Sequence, residues 1–195
     1  MSVETVVLIE SQPSMTRDTE KFINFVHAFG AARVLLRKAH KDGALLEGLA
    51  LYASLTDAFL RLALVLKKQI DEGVSTIDQS LISQESDGTY YTERKIQKMA
   101  LVESVITEGL YNELGRLYDK RNDAIHKFFL TPLRYSDLPP VLKRYELVFQ
   151  TLHKIVYDLE AEQVRRGCGM THANSKSEDN SAILLRVMSK ISETE

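Results

Sequence analysis

The sequence predicts an all-α protein, an up-down bundle of four to five helices followed by a C-terminal amphipathic helix. Two observations carry that reading. Apolar residues recur at three- and four-residue spacing through most of the chain, the period that turns one helix face toward a core. The interruptions fall at Gly and Pro, which end helices rather than continue them. A chain of 195 residues suits one domain with an appended tail. At that size a domain buries roughly 70% of its unfolded surface and needs neither metal nor disulfide to fold. The predicted boundaries are an N-terminal extension over 1–16, the bundle over 17–166, a linker over 167–180 and the terminal helix over 181–195.

The first helix is predicted over 17–41, with Thr16 as N-cap and Phe22, Phe25, Val26, Phe29, Ala32, Val34 and Leu36 on its apolar side. Asp42-Gly43 breaks it. The second, over 44–71, is apolar almost all round, the pattern of a central helix packed on several sides, and Gly73 closes it. Residues 74–91 are mostly polar, with a helical turn at 77–82 and a chain turn at Ser86-Asp87-Gly88-Thr89. Thr92 caps a third run through Ile106, and the residues leave open whether Gly109 interrupts it before the next helix. That next helix ends near Phe129, because Thr131-Pro132 disfavours continuation. Asp137-Leu138-Pro139-Pro140 opens a last long helix to Arg166, where Gly167 and Gly169 end it. Beyond a small, polar stretch, Ile183, Leu184, Val187, Met188 and Ile191 line one side of a short helix over 181–191. Alone it would be marginal in water, so it is expected to dock on its own bundle or on a partner protein.

The chemistry-bearing stretch is Arg121-Asn122-Asp123-Ala124-Ile125-His126. Leu114, Tyr118, Arg121, Ile125 and Phe128 share one helix face, which places a guanidinium in an apolar stripe. A buried guanidinium stays charged and needs an anion or a fork of acceptors. Asp119, Asn122, His126 and Phe129 form the adjacent face. Arg121 and His126 lie about 140° apart around the helix, at ~100° per residue, so they meet only beside a second surface. The plainer reading is a half-buried arginine with its head in water and a surface histidine near the negative end of a helix.

At Leu117-Tyr118-Asp119-Lys120-Arg121-Asn122-Asp123-Ala124-Ile125-His126 the chain resembles the HEPN superfamily of small helical domains, whose motif is Arg, a polar residue, a short spacer and His. Over 17–166 the likeness is one of helix order and hydrophobic pattern. The resemblance implies a metal-independent endoribonuclease in which the motif helices of two protomers face each other across a shared cleft. It also implies a toxin or phage-defence role, or an inactive nucleotide-binding or scaffolding module. In members neutralised by a partner nucleotidyltransferase, a tyrosine two residues after the histidine is modified. Here Lys127-Phe128 follows, and Phe128 has no hydroxyl, so that mode of control is not expected.

The residue types suit this chemistry on their own terms. Metal-free RNA cleavage uses the 2′-hydroxyl as nucleophile and needs a proton acceptor, a proton donor and positive charge at the phosphate. A histidine with an unperturbed pKa of about 6.5 suits the proton work. An arginine fork suits the phosphate. Asn122, four residues before His126, can donate to a phosphate oxygen or orient the imidazole. One motif supplies one histidine, whereas a two-fold homodimer supplies two. Asp119 and Asp57 are predicted to support the site. Asp57 shares a stripe with Leu46, Ala50, Ala53 and Leu64, and either pairs with Arg61 one turn on or is the anion that holds Arg121.

Net charge is −2, against bulk coating of nucleic acid. Between positions 116 and 144, however, seven Lys/Arg stand against three Asp, a local excess of +4 that leaves −6 for the rest. Arg116, Lys120 and Lys127 are the predicted RNA contacts within this basic zone, or else ordinary solvated charges. The single Cys168 and the scattered His27, His40, His153 and His172 show no zinc spacing, and no cofactor motif occurs. Neither a signal peptide nor a membrane span is read, so a cytoplasmic protein is expected. The competing reading is a non-catalytic helical module that binds a nucleotide or a protein through the same groove or the 181–191 face.

Overall fold

A computed structural model describes residues 17–83 and 91–169. Thr16, the turn at 86–89, most of the predicted linker and the 181–195 helix lie outside the described residues. Within them the chain is all α, with no strand. Five helices have ten residues or more: α1 (Arg17–Asp42), α2 (Leu45–Glu72), α4 (Glu93–Val102), α5 (Glu108–His126) and α6 (Leu138–Arg166). The single turn α3 (Gln79–Ile82) follows the Asp78 cap, whose carboxylate accepts from Ser80 N.

α2 is the central helix, packed along α6 and also against α1, α4 and α5. Leu49, Leu60 and Ala63 of α2 meet the buried Ile96, Leu114, Leu117 and Leu152 of the surrounding helices in one core. A chain of ring contacts links Phe29, Phe59, Phe149, Tyr52 and Tyr145 across α1, α2 and α6. By length and composition α2 is apolar enough to cross a membrane, which the sequence reading did not register; most of that stretch is buried against its neighbours here. On α1, Val34 is exposed, contrary to its predicted place on the apolar side, and Leu36 and Ala39 carry the contact.

Gly43 and Gly73 adopt the left-handed conformation at the ends of α1 and α2, where a side chain would be strained. The Tyr135 hydroxyl donates to Gly43 O (2.8 Å) and accepts from Leu45 N (3.0 Å), fixing the α1–α2 turn from a residue about ninety positions along the chain. The predicted third helix ends at Val102, four residues short of Ile106. Ser104, with φ 56°, takes the left-handed position, and Val105 N bonds to Ala100 O (2.9 Å), so the chain turns there and buries Val105 and Ile106. The break before α5 thus falls at 103–107, and Gly109, left open by the sequence, sits inside the first turn of α5. Gly169, assigned above to the linker, is held on the bundle: its N–H donates to Val74 O (3.2 Å) and its carbonyl accepts from Ser75 Oγ (2.8 Å).

Candidate functional site at the end of helix α5

Thr107 caps α5 by accepting from Leu110 N, and Thr92 caps α4 by accepting from Lys95 N, both at 3.3 Å. Contacts from Arg94 to Asp119 and from Lys98 to Tyr111 run in opposite chain directions, so the two helices lie antiparallel. α5 buries Leu114, Leu117 and Ala124, with Arg121 on the same side. The inward stripe is thus rotated from the predicted one: Tyr118 moves to the flank and Ile125 is exposed. α5 also stops at His126, three residues before the predicted end, with the next turn closed by Leu130 N to Lys127 O (2.8 Å).

Arg121 finds its anion on α4. Its Nη2 donates to Glu93 Oε2 at 2.6 Å, with both side chains 19% exposed, and its guanidinium lies 4.8 Å from the centre of the Tyr118 ring. Gln97 Nε2 donates to the other Glu93 oxygen at 3.4 Å. Burial pushes the Glu93 carboxyl up from its ordinary value, Arg121 opposes that rise, and the charge of Asp57 adds to it. Asp57 itself accepts from Arg61 Nε at 2.6 Å, the i, i+4 pair that was one of its two predicted roles. Burial raises the Asp57 carboxyl as well, opposed by Arg61 and at longer range by Arg121. Arg61 then donates through Nη1 to Leu81 O (2.9 Å) and through Nη2 to Tyr91 O (2.8 Å). The Tyr145 hydroxyl from α6 is buried nearby without a partner; burial and the Glu93 charge both raise its pKa. Four helices thus surround Arg121 with polar groups.

The remaining predicted residues stand outside this cluster. His126 is exposed in the last turn of α5 and Asn122 is half-buried; neither side chain bonds to any described residue. Within one protomer Arg121 faces inward and His126 outward, so a single chain does not bring them together. Asp119 accepts from Arg94 Nη2 at 2.5 Å. Arg116 is exposed beside Glu113 (3.6 Å), Lys127 lies 3.7 Å from Asp123, and Lys120 is exposed without a carboxylate partner among the described residues. Large apolar side chains next to His126 in the chain are also exposed: Ile125 by 39%, Phe129 by 95% and Leu130 by 84%, with the charged Lys127 between them. Glu93 was missed from sequence, although an acid at i, i+3, i+4, i+7 with Ile96, Gln97 and Ala100 was there to be read. Among the described residues no His/Cys/Asp/Glu group could hold a metal ion. No known protein family, curated protein or solved structure matches the chain.

Proposed function

We propose that the chain is a metal-independent endoribonuclease of the HEPN type, working as a homodimer on cytoplasmic RNA in a toxin or phage-defence role. The observation that carries the reading is the exposed Ile125, Phe129 and Leu130 beside His126. Large apolar side chains this exposed mark a protein contact, and a second copy docked there brings two His126 imidazoles to one cleft. One imidazole then takes the proton of the 2′-hydroxyl as that oxygen attacks phosphorus. The other gives a proton to the departing 5′-oxygen, leaving a 2′,3′-cyclic phosphate and a 5′-hydroxyl. Arg121 is anchored by Glu93 through Nη2 and its Nε is buried without a partner, so a phosphate oxygen would be met by Nη1, which makes no hydrogen bond to the described residues. Asn122 lies one turn from His126 on the same side.

The Arg121–Glu93 pair supports a second reading, in which Arg121 is structural and the domain binds a nucleotide or a protein without cutting. The experiment that separates the two is RNA cleavage in excess EDTA by wild type and by His126→Ala. The nuclease reading expects EDTA-resistant cleavage with cyclic-phosphate ends, abolished in a variant whose circular dichroism and Tm are unchanged. Unchanged cutting by His126→Ala, or none by wild type, overturns it.

A further inference from the structure

Tyr111, Gly115, Tyr118 and Asn122 recur on α5 at i, i+4, i+7 and i+11, one face of the helix. α4 lines that face with cations. The Arg94 guanidinium lies 4.4 Å from the Tyr118 ring centre and Lys98 Nζ lies 5.7 Å from that of Tyr111; Lys95 Nζ sits 4.3 Å from the Tyr91 ring one step along the same edge. Both α5 rings are only half-buried. Between them, a Cβ built on Gly115 would meet nothing within 4 Å, so the helix surface there is an open notch. A glycine within a helix costs about 1 kcal/mol relative to alanine, and nothing in the packing around Gly115 requires one. The carboxylates on this side are already engaged, Glu93 with Arg121 and Asp119 with Arg94. Lys95 and Lys98 have no acidic partner among the described residues.

We propose that this face, with Tyr111 and Tyr118 flanking the Gly115 notch and Arg94 and Lys98 along its rim, is a track for single-stranded RNA leading to Asn122 and Arg121. Two aromatic platforms seven residues apart stand about 10 Å apart along the helix, close to three base-stacking steps of ~3.4 Å. Unpaired bases stack on such a ring, or on a guanidinium plane laid against one as Arg94 and Arg121 lie against Tyr118, while phosphates follow the lysines; a duplex keeps its base faces covered. The choice of occupant rests on the ribonuclease reading.

The test is fluorescence anisotropy of full-length His126→Ala with a fluorescein-labelled twelve-nucleotide single-stranded RNA and with the matching duplex, at fixed salt. The expected result is preference for the single strand, with affinity falling about tenfold or more in Gly115→Glu, Lys98→Glu and Tyr111→Ala. Lys154→Glu, the same charge reversal on the exposed part of α6, leaves affinity within twofold of the parent. Gly115→Glu raises helix propensity, so an unchanged or higher Tm shows that lost binding is not lost folding. Equal affinity for duplex, or parent-like binding by both Gly115→Glu and Lys98→Glu, overturns the track. The two readings fail separately: EDTA-resistant cleavage with full affinity in both Gly115→Glu and Lys98→Glu overturns only the track. Single-strand binding along the face with no cleavage by the native chain overturns only the nuclease.

Discussion

Arg121 of α5 and Glu93 of α4 form a 2.6 Å ion pair inside the bundle, with a second carboxylate, Asp57, close enough to oppose the charge on Glu93. Arg121 is therefore held by a partner within its own chain, and the acid that holds it begins the neighbouring helix.

Removing one member of such a pair strands the other in a poorly solvated site. Glu93→Ala is expected to lower unfolding free energy by about 3 kcal/mol in urea titrations, and Glu93→Leu combined with Arg121→Met to recover most of it. A Glu93→Ala loss below about 0.5 kcal/mol, the scale of ordinary surface changes, would show that the pair contributes no stability.

Phe129 is too exposed to matter to one protomer's fold. On the proposed dimeric nuclease, Phe129→Glu is expected to convert the dimer to a monomer by light scattering, to reduce RNA cleavage at least tenfold, and to shift stability by no more than about 0.5 kcal/mol. A Phe129→Glu protein that stays dimeric and active places the functional contact elsewhere.

Glu160 is raised above the ordinary carboxylate value by burial alone and has no partner among the described residues. A folded pKa above the unfolded one means the native state holds the proton more tightly. Stability is then lost as pH rises from the unfolded value through the folded one. Glu160→Gln should accordingly show a higher Tm than wild type at pH 7, the gain shrinking as pH falls toward the usual glutamate range. A gain that is the same at both ends of that scan would trace to packing instead.

Ser104 occupies a left-handed position that costs a residue bearing a Cβ roughly 1 kcal/mol. Ser104→Gly should raise Tm by roughly 2–4 °C in calorimetry, and Ser104→Val should lower it. Equal Tm values for all three would show that the turn is relaxed.

Much of the helical layout was legible because its signals are local. Thr92 as a cap, Gly73 and Gly167 as left-handed ends, and the Pro139-Pro140 start of α6 each act within one turn of chain. The end of α4 was not, because the residue in the glycine-favouring position is a serine, held there by the Val105 N to Ala100 O bond and the burial of Val105 and Ile106. The rotation of α5 was hidden for another reason. Leu114, Tyr118, Arg121 and Ile125 fit the helical period as well as Leu114, Leu117, Arg121 and Ala124, and close packing with α2 and α4 selects the smaller set. At the site, the need of Arg121 for an anion was readable, but which acid answered it was not. Asp57 and Glu93 both sit on inward faces, and the choice depends on which helices meet.

The fork of Arg61 takes hold of Leu81 O and Tyr91 O, the backbone on either side of the segment between α3 and α4. Because the two anchoring points are clasped to α2, that connection can vary in length without shifting where α4 begins, and loop closure charges little for added residues. Homologues with longer or shorter inserts there would keep Glu93 in register, and a reporter peptide grafted between the anchors would ride on the domain without loosening Arg121.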